Sequence, residues 1–362
     1  FLIFTRFTMN YIKGRGAQVN THNRFLQHEH IIRDDFLNYC EAENEKADSN
    51  KTTYLEIFPK TIINKVKSPD IPLMYSMNPY QGCEHGCIYC YARNTHEYWG
   101  YSAGLDFERK ILYKSNAPSL LEQKLRSRTW EAAGIMFSGN TDCYQPIEKK
   151  LEITREMLKV LLKLKHPASM ITKNALILRD LDILKEMATM NLIHVNISIT
   201  SLSEETRRTL EPRTASIKKR LETVKTLSEN GIPVSVMMAP IIPAINNHEI
   251  LPLVKNVAQI GAKSVGYTVV RLNGAIGRIF TDWVKKTYPD RADKILHQIE
   301  DCHNGALNDS RFGARMRGEG KFAEQIKQQF ALARRLYLKD VEYTPLDYSL
   351  FDKHQTNQMR LF

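Results

Sequence analysis

The chain has 362 residues, 43% of them hydrophobic, and 51 Lys and Arg against 40 Asp and Glu give it a formal net charge of +11. No apolar run approaches the roughly 18 residues that a membrane-spanning helix needs, and the opening Phe1–Asn10 lacks the pattern of a signal peptide. The six irregularly spaced cysteines do not indicate a disulfide scaffold. We therefore expect a soluble, cytoplasmic protein with no membrane partner, thiols that serve metal binding or catalysis, and polyanionic partners.

In chain order, residues 1–70 show no sustained hydrophobic period, and the charged tract Glu41–Lys51 is typical of an exposed loop. From Ser76 to Leu272, short β-rich runs alternate with amphipathic helices, which is the pattern of a parallel sheet wrapped by helices. The runs are LMYSM, GIMFSG, ASMITK, HVNISIT, PVSVMMAP and SVGYTVVRL. Six units fall two short of a closed eight-unit barrel, so we predict an α/β fold with a partial (β/α)6 barrel over residues 71–272.

The helices between and beyond these strands have recognisable ends. A helix is predicted over Thr154–Leu164 with Thr154 as its N-cap, and another over Ser216–Asn230 that ends at Gly231. Residues 273–362 carry no strand signal and are predicted to form a helical region that flanks the barrel, after an N-terminal extension over residues 1–70. Its three predicted helices are Ile276–Lys286, Arg291–Cys302 and Phe322–Leu336.

Three of the cysteines, Cys83, Cys87 and Cys90, fall close together in the stretch NPYQGCEHGCIYCYAR. They follow the first predicted strand, and the C-terminal ends of parallel strands are where α/β folds bind ligands. Four thiolates would saturate a zinc ion or a four-iron cluster, whereas three hold three corners of a 4Fe-4S cluster and leave one iron open. The spacing C-x3-C-x2-C therefore predicts an iron-sulfur cluster with an open iron that can bind a substrate.

A structural zinc site is the alternative interpretation of the same stretch. His85, His96 or Cys143 would then have to supply the fourth ligand. Zinc motifs usually come as two separated pairs, which this stretch lacks. We expect His85, which lies between two of the cysteines, to donate a hydrogen bond to a cluster sulfur rather than to bind metal.

The cysteine spacing resembles the signature of the radical S-adenosylmethionine (SAM) superfamily, in which an aromatic residue, here Tyr89, precedes the last cysteine. The stretches KGRGA, GLDFERKI, NTDCYQPIE, ITKNALILRDLDIL, LEPRT, APIIPAIN and FGARMRGEGKFA extend the resemblance to the photolyase-like branch related to spore photoproduct lyase, over roughly Lys13 to Leu336. The resemblance implies a 4Fe-4S cluster and SAM as cofactors. It also implies an electron donor such as flavodoxin or ferredoxin, and cleavage of SAM to a 5′-deoxyadenosyl radical.

The resemblance further implies where SAM binds. Ser138, Gly139 and Asn140 match the segment whose backbone binds the amino group of SAM, although the common Gly-Gly-Glu form is absent. The remaining implied contacts lie at later strand ends: Lys173 and Ser198 for the methionine carboxylate or the ribose, and Ala239 and Pro240 for the adenine. The alternative for Lys173 is an ordinary exposed lysine.

Residues beyond SAM are expected to line a substrate pocket. The candidates are Tyr91, Arg93, Asp142, Cys143, Tyr144, Glu211 and Arg213. Among them Cys143 is a candidate hydrogen-atom donor to a substrate radical, and its alternative is a buried, inert thiol. The alternative for Tyr91 is a packing role. The alternative for Glu211 and Arg213 is that they form a structural ion pair.

Three function classes stay open at this point. The first is a radical SAM enzyme acting on a nucleic acid or a modified base, the second acts on a peptide or small molecule, and the third is a nucleic-acid-binding protein with a structural metal site. Basic groups that can track phosphates are Arg126 with Arg128, Arg207–Arg208, Lys218–Arg220, Arg311–Arg317 and Arg334–Arg335. If they gather at the barrel mouth they favour nucleic acid, and if they scatter they favour a small substrate.

Overall fold

A computed structural model of the chain describes residues 11–26, 51–71, 74–339 and 341–354. Within these ranges the strands are β1 (Thr53–Glu56), β2 (Ile63–Lys65), β3 (Tyr75–Met77), β4 (Tyr80–Gln81), β5 (Lys110–Tyr113), β6 (Ile135–Phe137), β7 (Ala168–Thr172), β8 (Ile193–Ser198), β9 (Val234–Ile241) and β10 (Ser264–Val269). The α-helices are α1 (Asp106–Arg109), α2 (Ala117–Leu125), α3 (Glu148–Leu151), α4 (Ile153–Lys163), α5 (Leu181–Thr189), α6 (Glu204–Leu210), α7 (Ile217–Glu229), α8 (Ile250–Gln259), α9 (Ala275–Thr287), α10 (Ala292–Asp301) and α11 (Gly320–Tyr337). Short 3-10 helices cover Tyr91–Trp99, Ala175–Asp180, Asn247–Glu249 and Pro289–Arg291.

The main sheet has seven strands in the order β10-β9-β8-β7-β6-β3-β2. Six of them are parallel and follow chain order: β3, β6, β7, β8, β9 and β10. Strand β2 pairs antiparallel with β3 at the edge. The first and last strands, β2 and β10, each pair with one neighbour, so the barrel is open. The predicted partial barrel of six parallel strands is therefore confirmed.

The barrel strands are buried on both faces because helices cover the outside of the sheet. In β8, for example, only Asn196 is partly exposed, and Ile193, Val195 and Ile197 lie in the main hydrophobic core. Continuous apolar runs are typical of parallel strands covered by helices. The apolar side chains of α4 pack into the same core and thereby hold this helix against the barrel strands.

The two predicted barrel helices have different outcomes. The helix predicted over Ser216–Asn230 is observed as α7: the Ser216 hydroxyl accepts a hydrogen bond from the Lys219 N–H at its start, and Gly231 follows its end in the left-handed conformation with φ of 74°. The predicted N-cap at Thr154 is wrong. Helix α4 begins at Ile153, and the Thr154 hydroxyl instead donates to the carbonyl of Cys143 at 2.7 Å. A tertiary partner thus outcompetes the local cap.

A second sheet, in the order β1-β5-β4, lies outside the barrel. Its strands have two to four residues, and all four residues of β1 are exposed. Strands this short and exposed have no hydrophobic period that the sequence can reveal. β4 leads directly into the cysteine loop, so this sheet fixes where that loop begins. The charged tract at residues 41–50 lies outside the described residues.

The predicted C-terminal helices are observed as α9, α10 and α11, with ends that differ by one or two residues. α11 packs against α8 on the outside of the barrel, and α9 packs against the 3-10 helix that follows the cysteine loop. The Asn94 side chain donates to the Asn273 carbonyl at 2.8 Å, which ties that 3-10 helix to the start of α9. None of the helices in the described part of the chain is long and apolar enough to cross a lipid bilayer.

Candidate active site at the barrel mouth

A cavity of about 320 Å³ opens at the C-terminal ends of the barrel strands, a size typical of small-molecule sites. All but one of the predicted cluster, cofactor and catalytic residues line it: Cys83, Cys87, Tyr89, Cys90, Tyr91, Ser138, Gly139, Asn140, Lys173, Ser198, Ala239 and Pro240. Residues more than 150 positions apart in the chain meet here because parallel strands end at one edge of the sheet. Cys143 does not line the cavity.

The loop between β4 and the first 3-10 helix carries Cys83, Cys87 and Cys90, which we call the loop cysteines. Two glycines allow its shape, since Gly82 and Gly86 have φ of 78° and 68°. A Cβ on Gly86 would lie 2.8 Å from a carboxylate oxygen of Glu108, so a side chain there would collide. The loop therefore presents three thiols to the cavity from a backbone that permits little variation.

The N-terminal stretch KGRGA packs against the back of this loop. A Cβ on Gly16 would lie 1.7 Å from the Gly86 carbonyl oxygen, so only glycine fits. The N–H groups of Gly16 and Ala17 donate to the Glu108 carboxylate at 3.1 and 2.8 Å. This supporting role is one that the motif by itself does not reveal.

The chemistry of the loop cysteines fits an iron-sulfur cluster better than a single zinc ion. Burial raises the pKa of all three thiols, that of Cys87 to about 12, so thiolates here need a cationic group to stabilise them. In the described ranges, no three His, Cys, Asp or Glu side chains converge on a point where one metal ion would bind. A four-iron cluster instead binds each thiolate to a different iron, which suits three thiols spread around one cavity.

The proposed fourth zinc ligands are also engaged elsewhere. The His85 ring contacts Asp142 at 3.3 Å on one side and the Asn174 amide at 3.3 Å on the other. His96 packs against Tyr101 and does not line the cavity. Neither histidine is thus placed to complete a zinc site with the loop cysteines.

Asp142 is the carboxylate of the cavity wall. Burial opposes its charge, but His85 and hydrogen bonds from the Lys173 N–H at 2.8 Å and the Thr172 hydroxyl at 2.7 Å lower its pKa to about 2. The carboxylate is thus ionised at neutral pH and fixes the position of the His85 ring and of the β7 end.

The turn after β6 places backbone polar groups in the cavity. Ser138 has φ of 63°, an unusual conformation for a residue other than glycine, and it lines the cavity with Gly139 and Asn140. The Tyr91 hydroxyl donates to the Gly139 carbonyl across the mouth. This geometry matches a segment that binds a small polar group through its backbone.

Lys173, at the end of β7, is the lysine of the cavity. Burial alone would lower its pKa, but neighbouring Cys87 and Glu211 raise it, so its ammonium group is charged at neutral pH. Lys173 is therefore not the ordinary exposed lysine of the alternative interpretation.

Glu211 supports this region from behind rather than lining the cavity. Its carboxylate pairs with Arg220 at 2.6 Å and accepts a hydrogen bond from the Tyr89 hydroxyl. Burial opposes its charge, but Arg220 and Lys173 lower its pKa to about 2. The predicted pairing with Arg213 is not found, because Arg213 pairs with Glu84 at 3.1 Å.

Three predicted substrate-pocket residues lie in the protein interior. Arg93 is fully buried and pairs with Glu108 at 2.5 Å, and the Tyr144 hydroxyl donates to Asp180 at 2.9 Å. Cys143 is fully buried in the main hydrophobic core, where burial raises the pKa of its thiol well above the usual value. A hydrogen-atom donor must reach the substrate radical, and in this conformation Cys143 packs as a small apolar side chain instead.

The predicted basic groups mostly scatter over the outer helices. Arg220 is fully buried, and Arg126 pairs with Glu122 on α2. The exception is the segment Arg311–Arg317, whose Met316 lines the cavity. One further cation of the cavity wall, Arg271 after β10, was not among the predicted residues, although a basic residue near the end of the last predicted strand run is a usable signal.

The residues of the barrel also match a known family. The family model of the Radical SAM superfamily matches residues 77–257, which include the loop cysteines and the four barrel strands β6 to β9. The chain belongs to the radical SAM superfamily. As a member of it, the protein is an enzyme of the radical SAM class, and the superfamily implies an iron-sulfur cluster and SAM.

Individual relatives agree with this placement. An uncharacterised protein of Mycobacterium tuberculosis is 30% identical over 241 residues, which cover 66% of this chain and 71% of the relative. An uncharacterised protein of Methanocaldococcus jannaschii is 30% identical over 251 residues, which cover 69% and 89%. Spore photoproduct lyase complexed with dinucleoside spore photoproduct has the same fold, with a TM-score of 0.55, 15% identity and 80% of each chain covered. The radical SAM fold predicted from the sequence is therefore confirmed.

Proposed function

We propose that the protein holds a 4Fe-4S cluster on the loop cysteines, cleaves SAM reductively and acts on a nucleic acid or a modified base. The observation that carries the proposal is the meeting of three thiols in one cavity with the polar ends of β6, β7 and β8. A cluster held there by the loop cysteines would supply the electron for reductive cleavage of SAM.

The chain's own residues would bind and orient SAM. Charged Lys173 is suited to the methionine carboxylate, and the backbone around Gly139 is suited to the amino group. Ser198 lies one strand further on and offers a hydroxyl suited to the ribose, and the β9 end at Ala239 and Pro240 offers an apolar surface and carbonyl groups for adenine. Burial of this wall excludes water from a reactive radical.

The substrate class rests on three supporting facts. The chain carries a net charge of +11, and the basic segment Arg311–Arg317 reaches the cavity mouth. The structural neighbour described above was solved with a dinucleoside photoproduct bound. Tyr91, 46% exposed at the mouth, presents an aromatic ring of the kind that stacks on bases.

A peptide or small-molecule substrate is the second candidate, and the scatter of most basic groups over the outer helices favours it. The two substrate classes differ in what should stimulate turnover. Either one requires a single electron from a reduced donor such as flavodoxin or ferredoxin.

Anaerobic reconstitution tests the cofactor. The protein should take up about four irons per chain, and after dithionite reduction its electron-spin signal should shift when SAM is added. Stoichiometric zinc without iron uptake would contradict the cluster. For the substrate class, 5′-deoxyadenosine should form faster with oligonucleotides than with peptides of equal charge; the reverse order would favour the second candidate.

A further inference from the structure

Arg271 occupies a fixed position at the end of β10 and is the one arginine among the described residues that line the cavity. Its backbone is held on both sides. The Val270 N–H donates to the Ile241 carbonyl at 2.9 Å, and the Leu272 N–H donates to the Leu307 carbonyl at 3.0 Å. The position from which the guanidinium extends is therefore set by the barrel and by the helical region together.

No hydrogen bond or close ion pair reaches the half-buried guanidinium within the described ranges, and the carboxylate that acts on it electrostatically is Asp70. Burial and the nearby Arg315 lower the pKa of Arg271. Arg315 is neutralised by Asp70 at 2.5 Å, so that carboxylate is already engaged. A guanidinium offers five N–H donors, so an anion that enters the cavity can pair with Arg271.

Other arginines in the protein interior show how unusual this is. Arg93 pairs with Glu108 at 2.5 Å, and Arg220 pairs with Glu211 at 2.6 Å. In each case the fold supplies the anion. Arg271 instead lines the cavity and has no close carboxylate partner among the described residues.

The missing anion is not the carboxylate of SAM if Lys173 binds that group. Lys173 ends β7 and Arg271 follows β10, so two strands lie between them. Strand spacing puts the two backbone positions on the order of 10–14 Å apart, so the two side chains enter the cavity from different parts of its edge. The second cation is thus available to the substrate.

The surroundings of Arg271 fit a phosphate that is joined to a base. A planar guanidinium matches the oxygens of a phosphate with two parallel hydrogen bonds. Two exposed aromatic rings lie near these cations: Tyr91, which lines the cavity with Arg271 and interacts with it electrostatically, and Phe312, whose ring lies 4.4 Å from the Arg315 guanidinium. A cation next to exposed rings is the arrangement by which proteins bind single-stranded nucleic acid.

We propose that Arg271 binds a backbone phosphate of a single-stranded or flipped-out nucleotide and thereby positions the neighbouring base over the cavity. The inference rests on the proposed function, since it names the substrate contact of the same site. The peptide class would instead present a carboxylate to the same guanidinium, which the experiment below separates.

The test measures binding rather than turnover. The reconstituted enzyme with SAM is titrated into a fluorescein-labelled single-stranded DNA of about ten nucleotides, and anisotropy gives the affinity. Arg271→Gln should weaken binding about tenfold to hundredfold, because a charge-assisted hydrogen-bonded pair is lost. Arg271→Lys should have an intermediate affinity, because lysine keeps the charge but lacks the two parallel N–H donors of the guanidinium. The slope of log affinity against log salt should fall by about 0.7 in Arg271→Gln.

A matched control is Arg208→Gln on α6. Its side chain is 72% exposed and outside the cavity, so it removes the same charge from the protein with an expected change below about twofold. A second control is the same oligonucleotide with an uncharged methylphosphonate backbone, for which wild type and Arg271→Gln should bind alike.

The outcomes separate this inference from the proposed function. Equal affinity of Arg271→Gln and Arg208→Gln for the charged oligonucleotide would overturn the phosphate contact and leave the nucleic-acid proposal standing. A loss of affinity in Arg271→Gln that persists with the uncharged oligonucleotide would assign Arg271 to the base and would also overturn the phosphate contact. Binding of acidic peptides but of no oligonucleotide would overturn both. A larger loss of SAM affinity than of oligonucleotide affinity would place Arg271 in the cofactor site.

Discussion

The buried ion pair behind the cysteine loop allows a quantitative test of how that loop is held. Glu108 is fully buried, and its carboxylate accepts from Arg93 at 2.5 Å and from the N–H groups of Gly16 and Ala17. Glu108→Gln keeps the shape of the side chain but removes its charge. An amide group also turns one acceptor into a donor, which then faces other donors.

The expected cost follows from what remains around Arg93. Removing one partner of a buried ion pair costs about 3–5 kcal/mol, because it leaves an uncompensated charge. The Arg93 guanidinium keeps hydrogen bonds to the carbonyls of Cys87, Ala103 and Gly104 at 3.0, 3.3 and 3.0 Å, which places the cost at the lower end of that range. We expect a loss of about 3 kcal/mol from a total stability on the order of 5–15 kcal/mol.

Urea unfolding followed by circular dichroism measures this loss. Glu156→Gln is the matched control: Glu156 pairs with Lys159 at 2.7 Å on the surface of α4, both side chains are about half exposed, and the expected loss is below about 0.5 kcal/mol. Iron uptake should also fall in Glu108→Gln, since Arg93 holds the Cys87 carbonyl. A loss below about 1 kcal/mol, or one equal to the control, would refute the reasoning.

Three further predictions follow from the same structure. Alanine at any one loop cysteine should abolish iron uptake and its brown absorbance, whereas Cys302→Ala, a buried thiol outside the cavity, should keep both. Cys143→Ala should still take up iron and cleave SAM, at a cost of about 1–2 kcal/mol in urea unfolding; altered substrate products would instead revive its role as hydrogen donor. Stability should fall as the pH drops from 6.5 to about 4, because burial lowers the pKa of His96 and His166 to about 4 and only the unfolded chain binds protons in that window. His166→Gln should remove part of this pH dependence, because His96, His194 and His303, whose pKa values are also lowered by burial, keep the rest; an unchanged slope would contradict the assignment.

The pattern of the chain predicted the parts of the structure that local chemistry governs. The cysteine spacing predicted a three-thiol loop, because spacing along a short loop limits where thiols can lie. The alternation of apolar runs and amphipathic helices predicted the six parallel strands and their order, because each unit buries its own apolar face. The family resemblance implied Lys173 and Ser198 at two strand ends, and both line the cavity, since parallel strands bring their C-terminal ends to one edge.

Tertiary structure alone decided which way a side chain faces and which partner it takes. Asp142 and Cys143 are neighbours in the stretch NTDCYQ, yet Asp142 lines the cavity and Cys143 lies in the hydrophobic core. Arg93 lies three residues after Cys90 and still faces inward, because Glu108 in a later helix supplies its charge partner. The local sequence fixes neither outcome, since the direction of a loop residue depends on contacts that the chain makes only after distant segments have packed together.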